Sequence, residues 1–118
     1  MSESKVLLQL LSKDQLGLQD LQTFHRELDQ EKHFDQDVFR NIAYLSGEIG
    51  ELVSAIRRFR KANNATEASD ARAQVGEELA DCLAYVVKLA NYVDVDLHAA
   101  YVNKMRSNTK REWHRAIR

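Results

Sequence analysis

The 118-residue sequence predicts an all-α protein: a four-helix, bundle-type subunit that assembles through helix packing into a dimer or tetramer. Three observations predict it. There is no proline and there are only four glycines, too little turn chemistry for a β-sandwich or barrel. Apolar residues recur by fours and threes over long stretches, which is the period of helices. The joints between these stretches are short, so consecutive helices should pack as neighbours. At this length the chain reads as one domain, residues 1–118, with a modest core.

The elements follow in order. Met1 to Leu11 carries Val6, Leu7, Leu8, Leu10 and Leu11. Five aliphatics left in water would be costly, so the stretch reads as a helical turn docked on a neighbour or on a second subunit. It is too short to span a membrane and lacks a signal-peptide layout. The first long helix is expected from Lys13 to Gln30. Ser12 followed by Gln15 resembles a capping box, and Leu18, Leu21, Phe24 and Leu28 form an apolar stripe. Gly17 weakens the first turn, which moves the expected start later. Glu31 to Asp37 is a polar joint holding one aromatic, Phe34.

The second long helix is expected from Val38 to Ala62, with a sustained seam of Val38, Ile42, Leu45, Ile49, Leu52, Ile56 and Phe59. At about 100° per residue, Glu48 and Glu51 lie roughly 80° and 140° round from that seam, flanking the core stripe. Arg57, Arg58, Arg60 and Lys61 suit a helix C-terminus, and Asn63 to Thr66 reads as a linker. The third helix, from Glu67 or Ser69 to Tyr92, has a seam of Val75, Leu79, Cys82, Val86, Leu89 and Val93. Leu83, Val87 and Ala90 give it a second apolar face, so it should be the most buried helix. Asp96 is the expected N-cap of a fourth helix running from Leu97 to Asn108 and onward toward His114. There Leu97, Tyr101 and Met105 face inward, and the later part is basic. Trp113 either lines a site or packs between subunits.

The balance of 17 basic and 18 acidic residues, a net charge of -1, argues against a general nucleic-acid binder, and nothing suggests a membrane partner. Cys82 is alone, which excludes an internal disulfide and a cysteine zinc site and makes the cytoplasm the expected location. On the core seam it reads as an inert buried thiol.

The chemistry-bearing residues are two acidic pairs. Glu48 and Glu51 sit three apart on the second helix, and Glu78 and Asp81 three apart on the third. Residues at that spacing share a helix face. Four carboxylates at one site cannot all stay ionised without a cation. Hard oxygen donors with no soft ligand favour Mg²⁺, with Mn²⁺ as a substitute. A di-iron bundle wants Glu-x-x-His on two helices, and His25, His33, His98 and His114 all lie outside these motifs. Glycosidase-type acid/base work needs two contrasted carboxylates rather than four gathered ones. Magnesium held by carboxylates points to a phosphate substrate. The basic run from Lys104 to Arg111 supplies counter-charges, with Asn103 and Asn108 as hydrogen-bond donors and Lys110 beside them. His33 and Phe34 are the candidates to stack on or read a base.

At these residues the chain resembles the MazG-like, all-α nucleoside triphosphate pyrophosphohydrolases. Glu48-x-x-Glu51 is followed, 26 residues later, by Glu78-x-x-Asp81. Phe39-Arg40-Asn41-Ile42-Ala43 leads into the first pair, and Asn103-Lys104-x-x-x-Asn108 follows the second. The resemblance covers about Leu16 to Trp113. It implies hydrolysis of a nucleoside triphosphate between the α- and β-phosphates, with Glu48, Glu51, Glu78 and Asp81 holding Mg²⁺ and Glu48 or Glu51 activating the water. It also implies that Lys104 and Asn108, helped by Asn103, Lys110 or Arg111, hold the phosphate chain. Deoxynucleotides such as dCTP are the implied substrates, nucleotide-pool house-cleaning the role, and a homotetramer built from dimers the assembly. The competing readings are a non-catalytic helical interaction module and a dUTP- or diphosphate-selective relative using the same metal site.

Overall fold

The computed structural model describes residues 5–111, and its elements are α1 (Lys5–Leu11), α2 (Leu18–Lys32), α3 (Val38–Arg60), α4 (Ala65–Tyr92) and α5 (Leu97–Lys110). The fold is all-α, and the four long helices stand where the periodicity places them. The N-terminal apolar run forms a short helix of its own, which docks on α2 with Leu7 buried. The expected capping box at Ser12 is not used. Ser12 Oγ donates to the Gln9 carbonyl and closes α1, and α2 starts only at Leu18. There the Gly17 N–H donates to the Asp20 carboxylate at 2.8 Å, so the glycine stands just before the helix rather than inside it. Trp113, singled out in the sequence, lies outside the described residues.

Each later joint is closed by local hydrogen bonds. His33 takes the left-handed conformation, φ 54°, and ends α2. Its N–H and that of Phe34 both donate to the Asp29 carbonyl. Asn41, 1% exposed, donates through Nδ2 to the carbonyls of Asp35 (2.8 Å) and Asp37 (2.7 Å), pinning the joint onto α3. Asp37, Asn64 and Asp96 cap α3, α4 and α5 by accepting from the N–H groups of Arg40, Glu67 and Ala99. The start of α5 is clamped to α2 by Gln22, which donates to Asn91 Oδ1 and the Val95 carbonyl and accepts from the Leu97 N–H.

The main packing unit is the antiparallel α3–α4 hairpin, with α2 laid against α4. Its contact face corrects the seam reading. Asn41 and Ala55 are the buried residues of α3, with Leu45, Glu48, Leu52 and Phe59 half-buried between and beyond them. Ile42, Ile49 and Ile56, three of the seven predicted seam residues, are exposed, as are Leu79, Leu83 and Val86 of α4 and Val93 just past its end. α4 is therefore not packed on both sides within one protomer. Tyr101 and Met105 of α5, expected to point inward, are exposed as well. The physical reason is that apolar periodicity marks every surface that leaves water, and cannot tell a core from a surface left for another partner. The radius of gyration is 17.3 Å, against about 13 Å for a compact chain of this size. Among the described residues no helix is long and apolar enough to cross a membrane.

Candidate metal centre

The α3–α4 contact face carries the acids. One ligand oxygen from each of Glu48, Glu78 and Asp81 lies within 4.8 Å of the other two. Glu78 is only 6% exposed. Its Oε2 and the Oε2 of Glu48 are buried with no hydrogen-bond partner, and Gln74 Nε2 reaches Glu78 Oε1 only at 3.5 Å. Burial, then the close approach of the Glu78 carboxyl, then the charges of Asp81, Glu51 and Glu78 push the Glu48 carboxyl up from its ordinary value. Cys82, half-buried beside them, is a free thiol pushed up by burial and then by the charges of Glu48, Glu78 and Asp81. The arrangement is a hard-oxygen trap: orphaned carboxylate oxygens, no thiolate, and repulsion that a cation would relieve. The donor set fits a divalent metal ion.

Glu51 stands apart from the three. It is exposed and lines an open cleft of about 430 Å³ beside Glu78, with Gly47, Gly50, Ser54, Arg58 and Gln74 as neighbours. All of these belong to α3 or α4. The predicted phosphate-holding residues Asn103, Lys104, Asn108, Lys110 and Arg111 sit on the later part of α5 and just past its end; Asn108 is half-buried and the others are exposed. That helix packs against α2. Arg58 is a cation that the sequence reading passed over as a helix-end residue; its signal is that it falls seven residues, two turns, after Glu51 and so shares its face.

On the other side of the acids the hairpin turns aromatic. One turn beyond Glu48 and Asp81, the rings of Tyr44 and Tyr85 lie 6.0 Å apart. Burial raises the Tyr85 hydroxyl, followed by the charges of Glu48 and Asp81. The turn at His33 places Phe34 against Lys88, whose Nζ lies 5.0 Å from the Phe34 ring and 5.3 Å from that of Tyr85. His33 itself is exposed at the helix end. Lys88 links Phe34 to Tyr85, and Tyr85 meets Tyr44, a chain of contacts that the sequence reading did not assemble. Lys88 did leave a signal, a single charge inside the apolar run from Leu83 to Ala90.

Residues 36–115 match the model of the MazG nucleotide pyrophosphohydrolase domain. The chain belongs to this family. All four acids, Asn103, Lys104, Asn108, Lys110 and Arg111 fall inside the match, whereas His33 and Phe34 precede it. The chain is 36% identical over 98 residues to "dCTP pyrophosphatase 1" of Rattus norvegicus and 35% identical to the Mus musculus protein of that name. Each comparison covers 80% of this chain and 58% of the relative, so the chain spans a little over half the length of these relatives.

Proposed function

We propose that this MazG-family chain is a Mg²⁺-dependent nucleoside triphosphate pyrophosphohydrolase that converts deoxynucleotides, dCTP among them, to monophosphate and pyrophosphate. The observation that carries the reading is the gathering of Glu48, Glu78 and Asp81 around two orphaned buried carboxylate oxygens, within a segment matched by the family model. The substrate assignment takes its support from the relatives named dCTP pyrophosphatase.

In this reading Glu48, Glu78 and Asp81 hold Mg²⁺, with Mn²⁺ as a substitute. When bound, the ion polarises the α-phosphate and lowers the pKa of its water. Glu51, exposed on the neighbouring turn and lining the cleft, takes the proton from the attacking water. The pyrophosphate leaves along the cleft. Lys104 and Asn108, with Asn103, Lys110 and Arg111, hold the phosphate chain. The base lies on the opposite side, against Phe34, Tyr44 and Tyr85, with His33 at the rim.

A second copy of the chain belongs to this reading. The exposed Ile42, Ile49, Ile56, Leu79, Leu83 and Val86 offer apolar faces on the two helices that carry the acids. A homotetramer built from dimers covers them and brings a basic α5 toward the site. The cytoplasm is the compartment assigned, and nucleotide-pool house-cleaning the role.

The test is a panel of deoxy- and ribonucleoside triphosphates incubated with Mg²⁺ and resolved by phosphorus NMR. Monophosphate and pyrophosphate, with dCTP among the best substrates, are expected. No turnover of any nucleotide overturns the enzyme reading, and orthophosphate as the first product overturns the cleavage position.

A further inference from the structure

We propose that Lys88 is a positioning residue for the nucleobase: anchored by buried Asp29, its ammonium fixes the rings of Phe34 and Tyr85 as one wall, and base selection depends on it without contact to the base. This rests on the base side of the site proposed above.

Lys88 is a costly residue where it stands. Its side chain is 11% exposed and pairs with Asp29 at 3.3 Å, whose own side chain is 3% exposed. The Tyr92 hydroxyl also donates to Asp29, and burial followed by that bond raises the hydroxyl well above its ordinary value. His25, on the same face of α2, is pushed down by burial and then by the nearby Lys88 charge, against the pull of Asp29. An apolar residue of similar volume is often as stable as a buried ion pair, so stability alone does not account for the lysine.

What the ammonium does is hold rings. It faces Phe34 at 5.0 Å and Tyr85 at 5.3 Å, within the range of cation–π attraction. The two rings come from different elements. Tyr85 shares the α4 face with Lys88, three residues away. Phe34 sits on the joint after α2 and is partly exposed, so nothing helical fixes its plane. Lys88 ties the joint-borne ring to the helix-borne one. Asp81, Tyr85 and Lys88 run along α4 from the acids to Phe34, over a rise of about 10 Å. That order suits a nucleotide whose α-phosphate meets the acids and whose base meets the rings.

The test compares Lys88→Met, Lys88→Arg and the pair Asp29→Asn with Lys88→Met, in the full chain. The pair removes both buried charges and leaves Tyr92 a partner, so it serves where the single variant fails to fold. Measured are kcat and KM for dCTP, dTTP, dATP and dGTP. For Lys88→Met, KM on the preferred nucleotide should rise about tenfold, kcat should stay within about twofold, and the preference among bases should collapse. Lys88→Arg, which keeps the cation, should retain the preference. In a Phe34→Ala background Lys88→Met should add nothing further. An unchanged base preference in folded variants overturns the proposal alone, as does a loss confined to kcat and equal for all bases. A wild-type enzyme that turns over no triphosphate overturns the pyrophosphohydrolase reading and this proposal with it.

Discussion

Replacing Glu78 by glutamine separates folding from chemistry at the acidic cluster. Three carboxylates share a space in which the ligand oxygens are no more than 4.8 Å apart. At an effective dielectric of about 20, two unit charges at that separation repel by about 3.5 kcal/mol. The full amount is not recovered, because Glu48 already relieves part of it by holding a proton above its ordinary value. A gain of about 1–2 kcal/mol is expected for the metal-free Glu78→Gln protein, or about 4–10 °C in thermal midpoint. The amide oxygen keeps the acceptor that Gln74 now approaches, so the fold loses nothing. With Mg²⁺ the order inverts. The wild type should gain midpoint as ion is added, and the variant should gain little. Turnover should fall at least about hundredfold. Thermal scans with and without Mg²⁺, paired with pyrophosphate release, read all three. A metal-free variant less stable than the wild type, or equal Mg²⁺ shifts in both, refutes the reasoning.

Three further outcomes follow from the same geometry. A Cβ at Gly47 would meet nothing within 4 Å, so Gly47→Ala should raise stability by the helix-propensity gain of about 1 kcal/mol, and the thermal midpoint with it, while its methyl, at the cleft, raises KM; a lower midpoint contradicts an open face. The Arg40 guanidinium, then the Asp37 N–H, hold the Asp35 carboxyl down at about 2. A lowered value means stability that is complete above the ordinary carboxylate range and is lost as pH falls through about 2, so Asp35→Asn should flatten the acid limb of a pH–stability curve between about pH 4 and 2. Leu83→Glu, on the exposed face of α4, should leave helix content intact by circular dichroism and lower the mass found by light scattering below that of the wild type.

Helix order was legible because long apolar periods have few other readings, and the cap expected at Asp96 is the one that starts α5. Asp37 and Asn64, read only as joint and linker residues, cap α3 and α4. The acidic pairs were legible by spacing, but their depth was not. Reading Ile42, Ile49 and Ile56 as core put Glu48 beside the contact face. The packed stripe of α3 runs instead through Asn41, Glu48 and Ala55, a polar, an acidic and a small residue that carry no apolar signal. Asn41 is a core residue because the joint just before it needs its amide, a local hydrogen-bonding demand that apolar periodicity does not encode. Likewise Lys88 became intelligible only when α2 brought Asp29 to it across 59 positions of sequence.

The most direct test of the central claim is the fate of water oxygen. Hydrolysis of dCTP by the Mg²⁺-loaded protein in ¹⁸O-water, followed by mass spectrometry of both products, reports which phosphorus was attacked. Attack at the α-phosphorus beside the three acids predicts one ¹⁸O in the monophosphate and none in the pyrophosphate. Label in pyrophosphate or in orthophosphate contradicts it.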